Sequence, residues 1–286
     1  MAKSRVKKPI TSAAPTSGAK FKRSRVETAR LIRRFHVLNK ELAKCRNEHP
    51  KDTVKEKQIL DEMEAMGGLD WYQRASQLGQ SKERGGDSSK WLIQALKTEC
   101  KAMVDTAKKP LQVLDVGAVQ PDNYKAYQSW IQAKPIDLNP QHPDIEKQDF
   151  LRMQPTDAKF DIVCLSLVVN FVGDPRDRGQ MLLHTRNFLF SPVVKDRLHL
   201  LYLVLPLPCI DNSRYMSHDH LMAMMASIGY SHCIKHHFSK KLAYYLFEYK
   251  ANLRPKTAWK KKILPQQEGG GRNNFAIVID PPSATK

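Results

Sequence analysis

The chain has 286 residues, of which 41% are hydrophobic, so it can bury one sizeable core and still carry extensions. Its formal net charge of +18 predicts a polyanionic partner, which for an intracellular protein indicates nucleic acid. The longest apolar run, residues 198–210, is too short to cross a bilayer, and neither the basic N-terminus nor the five scattered cysteines indicate a secretory signal or a disulfide framework.

Two segments precede the predicted main domain. In residues 1–26 every charged side chain is basic and apolar residues are few, so we expect a disordered basic tail. Its KFKRSR string is typical of a nuclear or nucleolar address and equally of an RNA-binding arm. In residues 27–68 the apolar positions recur at helical spacing, which predicts a helical hairpin with a structural role that ends at Gly67 and Gly68.

From residue 69 to residue 286, short apolar runs alternate with helical stretches, which is typical of a wound α/β sheet. Continuous apolar runs predict parallel strands covered on both faces, and they begin at Leu111, Lys134, Phe160 and Leu198. Near the C-terminus we expect residues 242–249 to pair with residues 275–279, with SHCIKHHF (231–238) as a weaker strand. This pairing makes residues 250–271 a basic excursion, which lies on the ligand face if the 242–249 strand is parallel to the others.

Polar residues at the strand ends predict a cofactor site. The string VLDVGAVQPDNY (113–124) places Gly117 at the end of the first strand, and Asp137 ends the second, where a carboxylate can accept both hydroxyls of a ribose. A dinucleotide needs more glycines around its pyrophosphate, so the single glycine favours S-adenosylmethionine over NAD. Asp149 and Phe150 follow the third strand and can contact adenine, and Ser166 ends the fourth. The alternatives are core packing for Phe150 and a satisfied hydroxyl for Ser166.

A resemblance to a known family covers about residues 69–279. It is carried by VLDVGAVQPDNY, PIDLNP, KQDF, DIVCLSLVVNFV, LVLPLPCIDNSRY and the upstream YQRASQLGQSKERGGDSSKWL. The chain resembles the fungal large-subunit (25S) ribosomal RNA adenine-N1 methyltransferase family, which is related to animal S-adenosylmethionine sensors. The resemblance implies an α/β, class I (Rossmann-like, seven-stranded) S-adenosylmethionine-dependent methyltransferase fold, to which the hairpin predicted from the spacing of residues 27–68 is an N-terminal helical extension. It also implies cofactor contacts at Gly117 and Asp137, a place in the nucleus and nucleolus, and ribosomal RNA or pre-ribosomal particles as partners.

The same resemblance changes the interpretation of the GGDSS string. On the residues alone, Asp87 or Ser88 is expected to cap the next helix, and this reading is favoured over a ligand contact by Arg84. The resemblance instead makes Arg84 a cofactor contact.

The acceptor implied by the family, adenine N1, needs no general base, so no proton-transfer residue is assigned. Asn170 and Phe171, beyond the fourth strand, are candidates for holding the acceptor base, and a turn that caps the following helix is an equal alternative. The opposite wall is expected to come from three residues after the fifth strand: Pro206, Pro208 and Asn212. Arg214 and the basic residues at 254–262 are expected to hold phosphates.

Two other functions compete with RNA methylation. A non-catalytic S-adenosylmethionine sensor that binds a protein partner would have no need of a phosphate-binding surface, so the basic charge disfavours it. An NAD-dependent oxidoreductase is disfavoured by the missing glycines. The histidines and the cysteine between residues 218 and 237 lack tetrahedral zinc spacing, so no metal site is predicted.

Overall fold

The structure is a computed structural model, and it describes residues 25–48, 50–68, 71, 88–106, 109–253, 255–265 and 271–281. The predicted helical hairpin is present, with α1 over Arg25–Glu48 and α2 over Thr53–Ala65. Asp52 caps α2 by accepting the backbone N–H of Lys55. Nearly all of the predicted basic tail, together with Arg84 and Asp87, lies outside the described residues.

The main domain alternates strands and helices along the chain. Its helices are α3 (Ser89–Glu99), α4 (Lys101–Thr106), α5 (Pro175–Thr185), α6 (Pro208–Asp211) and α7 (His218–Ser227). Its strands are β1 (Leu111–Val116), β2 (Ile131–Asp137), β3 (Glu146–Lys147), β4 (Ile162–Ser166), β5 (Leu200–Pro206), β6 (His232–Phe238) and β7 (Leu242–Glu248).

The seven strands form one sheet in the order β3-β2-β1-β4-β5-β7-β6. The first five strands are parallel, and β7 is antiparallel to both β5 and β6. This is the predicted class I, seven-stranded methyltransferase fold. The chain passes outward from β1 to β2 and β3 and then returns to the other side of β1 for β4, so the strand order reverses between β1 and β4.

The central strands are buried on both faces because their residues are apolar almost without interruption. Alternate residues of β1, β4 and β5 enter two separate clusters, one on each face of the sheet. Helices α5 and α7 cover one face, and α3 covers the other. Both faces are therefore closed, and the carboxyl edge of the sheet is the place where polar groups can meet a ligand.

The predicted C-terminal strand pairing is wrong. Residues 242–249 do not pair with residues 275–279, because β7 lies between β5 and β6, and the weaker candidate, residues 231–238, supplies that second partner. Residues 275–279 instead run along α5, where the N–H of Val278 donates to the carbonyl of Pro175 over 2.8 Å. Gly179 makes this approach possible, since a Cβ there would lie 1.9 Å from the Val278 carbonyl oxygen.

The path of the basic excursion also differs from the prediction. Because β7 is antiparallel, the excursion begins at the amino edge of the sheet, where the N–H of Lys250 donates to the Gly229 carbonyl over 2.9 Å. It then returns along α7 to the carboxyl edge, where the N–H of Leu264 donates to the carbonyl of Arg214 over 2.9 Å. Only the later part of the excursion is therefore near the ligand edge.

Asp161 links the amino ends of the central strands by hydrogen bonds. Its carboxylate is fully buried and accepts the N–H of Gln112 over 2.8 Å, the N–H of Leu198 over 3.1 Å and Nη1 of Arg197 over 3.3 Å. It thereby holds β1, β4 and β5 in register.

Replacing Asp161 with alanine should lower the free energy of unfolding by about 3 kcal/mol, because buried N–H donors would lose their acceptor. Chemical denaturation measures this change, with Asp157→Ala as a matched control at an exposed carboxylate nearby. Equal stability of the two variants would contradict the role of Asp161.

Candidate functional site

A narrow crevice opens at the carboxyl edge of the sheet, where the strand order reverses. Gly117 follows β1, and Ser166 is the last residue of the neighbouring strand β4. The N–H of Gly117 donates to the Ile136 carbonyl in β2 over 2.8 Å. The crevice is lined by Ser88, Asp115, Val116, Gly117, Ala118, Val119, Asn123, Tyr124, Ser166 and Tyr202. The structure thus brings Gly117 and Ser166 into one cavity, with Asp137 at the end of the adjoining strand.

Asp115 is a site residue that the sequence reasoning missed. Its side chain is only 6% exposed, lines the crevice and accepts Nδ2 of Asn123 over 3.2 Å. An acidic residue within an otherwise apolar strand was the available signal, since a buried carboxylate needs partners to offset its desolvation. Asp115 gives the crevice a negative group beside the glycine turn.

Hydrogen bonds hold the residue before α3, Ser88, in the lining of the crevice. The hydroxyls of Ser88 and Ser166 are 2.7 Å apart, and the Tyr202 hydroxyl donates to the Ser88 carbonyl over 2.7 Å. Ser88 makes no side-chain capping bond to α3, so the expected cap is wrong for Ser88, while Asp87 lies outside the described residues. Ser166 has the satisfied hydroxyl that was weighed against a ligand contact. Arg84, the other predicted contact in this part of the sequence, lies outside the described residues.

The backbone on both sides of the crevice adopts left-handed conformations. Gly117 has φ 73°, and a Cβ at this position would lie 2.5 Å from Cγ2 of Val168. Leu167 has φ 61°, which is uncommon for a residue with a side chain, and its N–H donates to the Val204 carbonyl over 3.0 Å. Such strain persists only where the surrounding structure imposes it, and it is frequent at ligand sites.

The remaining predicted cofactor residues have different surroundings. Asp137 is partly exposed, and its Oδ1 accepts the N–H of Asn139 over 2.7 Å. Asp149 is also partly exposed and accepts the N–H of Leu151 over 3.0 Å. Phe150 is 4% exposed and packs in the core. Its ring has the packing role that was its alternative, so the expected contact with an adenine face is corrected.

The predicted acceptor residues lie in the loop 167–174, here called the acceptor loop. The rings of Phe171 and Phe35 stack with centroids 6.1 Å apart, and Asn39 Nδ2 donates to the Phe171 carbonyl over 2.7 Å. Asn170 Oδ1 is buried and has no hydrogen-bond partner among the described residues. The capping alternative is wrong for both Asn170 and Phe171, because Asp174 caps α5 by accepting the N–H of Arg176.

The loop after β5 contacts the C-terminal segment. Pro206 ends β5 and is partly exposed, the Pro208 carbonyl accepts Nδ2 of Asn273, and the Asn212 carbonyl accepts the N–H of Asn273 over 2.9 Å. Arg214 Nη1 donates to Oδ1 of Asn274 over 2.7 Å and to the Arg272 carbonyl over 2.9 Å. These contacts assign Arg214 a part in holding residues 272–274 against this loop.

A second and larger pocket, of about 600 Å³, lies on the surface beside α5. Of the predicted cofactor residues it includes Asp149, but its other lining residues are Leu151, Arg152, Asp177, Gln180, Leu183, His184, Arg186 and Asn187. It is away from the reversal of strand order, so we place the functional site in the crevice between β1 and β4.

Among the residues that the structure describes, no group of three His, Cys, Asp or Glu side chains could hold a metal ion. In the same part of the chain, no helix has the length and apolarity needed to cross a membrane.

Comparison with known proteins identifies the family. The profile of the family described as 25S rRNA (adenine(2142)-N(1))-methyltransferase, Bmt2, matches residues 57–277. The chain belongs to this family. It is 40% identical over 250 residues to the 25S rRNA adenine-N(1) methyltransferase of Schizosaccharomyces pombe, covering 87% of this chain and 90% of that protein. It is 34% identical over 228 residues to the 25S rRNA (adenine(2142)-N(1))-methyltransferase of Saccharomyces cerevisiae, covering 77% of this chain and 63% of that protein.

Two solved methyltransferase structures align with part of this member of the Bmt2 family. N-methyltransferase NodS from Bradyrhizobium japonicum is 11% identical, with a TM-score of 0.38 over 56% of this chain and 85% of that one. The 1,6-didemethyltoxoflavin-N1-methyltransferase of Burkholderia thailandensis is 9% identical, with a TM-score of 0.42 over 63% of this chain and 88% of that one. The family assignment rests on the sequence matches.

Gly117→Ala should lower the free energy of unfolding by about 1–3 kcal/mol, because its φ is left-handed and the new Cβ meets Val168. Gly117→Arg should therefore weaken the fold as well as ligand binding, so it is not a clean binding variant. Chemical denaturation of Gly117→Ala, Val168→Ala and the double variant separates the two causes. In the double variant the contact with Val168 is removed, so part of the lost free energy of unfolding should return. The part caused by the left-handed φ should remain. A Gly117→Ala protein as stable as the parent would contradict this account.

Proposed function

We propose that this chain transfers a methyl group from S-adenosylmethionine to N1 of an adenine in large-subunit (25S) ribosomal RNA. The observation that carries the proposal is the polar crevice at the reversal of strand order, in a chain of this family with a net charge of +18. The charge favours an RNA substrate over a sensor role, since a sensor that binds a protein partner needs no surface for phosphates.

The residues around the crevice fit the cofactor. Asp137 lies where a carboxylate can accept ribose hydroxyls, and Asp115 supplies a second carboxylate for an ammonium group. The turn at Gly117 has one glycine rather than a phosphate-binding pattern, which suits a ligand without phosphates. When bound, S-adenosylmethionine supplies a methyl group made electrophilic by its sulfonium.

The protein's own contribution is to position the acceptor and exclude water. Adenine N1 has an in-plane lone pair that is unprotonated near neutral pH, so no side chain has to remove a proton. The acceptor loop must hold the base with N1 directed at the crevice, because alignment at short range provides much of the rate enhancement in such transfers. The buried and unpartnered Oδ1 of Asn170 can accept the exocyclic amino group of adenine.

The acceptor adenine has to be unpaired or turned out of its helix, because N1 lies on the pairing edge of the base. Phosphate contacts then hold the flanking strand, which is consistent with the excess of basic residues. We further propose that the chain acts on pre-ribosomal particles in the nucleolus, within the nucleus, as its KFKRSR string suggests.

The test incubates purified protein with labelled S-adenosylmethionine and unmodified large-subunit RNA, and then maps the labelled base. We expect 1-methyladenosine at one adenine, with no label on free adenosine. Label on a different atom or base, or no transfer with the cofactor bound, would contradict the proposed function.

Asp137→Ala tests whether this carboxylate binds the cofactor. It should weaken binding of S-adenosylmethionine by about 10- to 100-fold in calorimetry, because one charged acceptor of hydrogen bonds is removed. Asp157→Ala, at an exposed carboxylate away from the crevice, should bind normally. Unchanged affinity in Asp137→Ala would remove this residue from the site.

A further inference from the structure

A row of aromatic side chains leads away from the crevice on the face of the sheet that α3 covers. Tyr202 of β5 lines the crevice, and its ring stacks on Trp91 of α3 with centroids 5.8 Å apart. Trp91 also stacks on Tyr244 of β7 at 5.4 Å, and the Tyr244 ring lies 5.9 Å from the ring of His237 in β6. The row therefore extends from the wall of the crevice to the edge strand of the sheet.

The strand register places the far end of this row at the level of the crevice. Ser166, which lines the crevice, is paired with Val204 of β5. Val204 is paired with Tyr244, and Tyr244 with His237, so these side chains point to one face of the sheet. Because neighbouring strands are about 4.8 Å apart, His237 lies roughly 14 Å from Ser166. About four stacked nucleotides cover that distance at roughly 3.4 Å each.

Exposure to solvent increases along the row. Tyr202 is 1% exposed, Trp91 and Tyr244 are partly buried, and His237 is exposed. In the described part of the chain the His237 ring contacts Tyr244 and no other ring, and its imidazole forms no hydrogen bond. The packing of α3 on the sheet explains the rings of Trp91 and Tyr202, but it does not require an aromatic ring at position 237.

The turn between β6 and β7 adds positive charge beside His237. Lys240 and Lys241 are both exposed, and neither forms an ion pair with a carboxylate of the described residues. Ser239 holds the turn, because its hydroxyl accepts the N–H of Leu242 over 3.0 Å and its own N–H donates to the Leu242 carbonyl over 2.8 Å. The two lysines are therefore exposed on a turn whose backbone is fixed by hydrogen bonds.

This turn also contacts the loop after β5, which is predicted to form one wall of the acceptor site. The N–H of Leu207, in that loop, donates to the carbonyl of Lys241 over 2.7 Å. Two carboxylates lie in these parts of the chain, but Glu248 pairs with Lys250 at the other end of the hairpin, and Asp211 forms no ion pair with the lysines of the turn. Positive charge and an exposed ring are thus found together at the ligand edge.

We propose that the RNA strand flanking the acceptor adenine stacks one unpaired base on His237 and places a phosphate against Lys240 and Lys241. An exposed ring beside lysines is typical of surfaces that bind single-stranded nucleic acid, because the ring stacks on any base while the ammonium groups attract the backbone. An acceptor adenine with an accessible N1 is itself unpaired, so unpaired neighbours are available to this surface. This inference rests on the proposed function, because it takes RNA as the substrate.

The test of the stacking contact measures the affinity for unmodified large-subunit RNA over a range of salt concentrations. His237→Ala should weaken binding by about 5- to 100-fold, the loss expected for one stacked base, and should leave the slope of log affinity against log salt unchanged. His237→Phe should bind like the parent protein, because a phenyl ring stacks equally well. His232→Ala is the matched control, since His232 lies at the other end of β6 and contacts Glu248 at 2.9 Å.

The phosphate contact is tested by the salt dependence of a variant in which Lys240 and Lys241 are both replaced with glutamine. Its slope should be smaller than that of the parent by about 0.7, the value for one phosphate contact in a single strand. Lys250→Gln is the control, because Lys250 lies at the amino edge of the sheet and pairs with Glu248 at 2.6 Å. We expect this control to keep the slope of the parent protein.

Thermal unfolding and calorimetry with S-adenosylmethionine should show no change in any of these variants. RNA affinity of His237→Ala equal to that of His232→Ala, or a loss in His237→Phe as large as that in His237→Ala, would overturn the stacking contact. An unchanged slope in the double lysine variant would overturn the phosphate contact.

Methyl transfer by the parent protein is measured alongside. If the parent methylates RNA and the variants bind RNA normally, only this inference fails. If RNA binding depends on His237 and the two lysines but the parent transfers no methyl group, only the proposed function fails.

Discussion

The reversal of strand order between β1 and β4 is the constraint on which the site depends. Two neighbouring parallel strands send their connections to opposite sides of the sheet, so no backbone covers the gap at their carboxyl ends. The gap is lined by groups that a closed core would exclude, including the buried carboxylate of Asp115 and the paired hydroxyls of Ser88 and Ser166. The positive φ angles of Gly117 and Leu167 show the chain bending sharply away from it on either side.

The parts of the fold that could be predicted are the buried segments whose residues are mostly apolar. Strands β1, β4 and β5 are largely apolar because both of their faces are covered. Strand β6 was predicted only weakly because its residues are largely exposed and polar. Residues 275–279 were wrongly predicted to be a strand of the sheet, because an apolar extended segment can pack on a helix as well as in a sheet. The pattern of apolar residues predicts that a segment is buried, but it does not predict which element of the fold covers that segment.

The same distinction explains the outcome for the site. Gly117, Asp137 and Ser166 could be placed because strand ends in a parallel sheet meet at one edge. Phe150 was misjudged because an aromatic residue at a strand end can turn into the core, and only the packed structure shows that it does. The contact of α1 with the acceptor loop could not be predicted at all, because it depends on a hydrogen bond between Asn39 and Phe171, which are 132 residues apart in the chain.

The most direct measurement is a crystal structure of the protein with S-adenosylhomocysteine. The account predicts the nucleoside in the crevice between β1 and β4, with its ribose hydroxyls on Asp137 and its amino acid group near Gly117 and Asp115. Density for the ligand in the larger pocket beside α5, or a crevice that stays closed by its own side chains at saturating ligand, would contradict it.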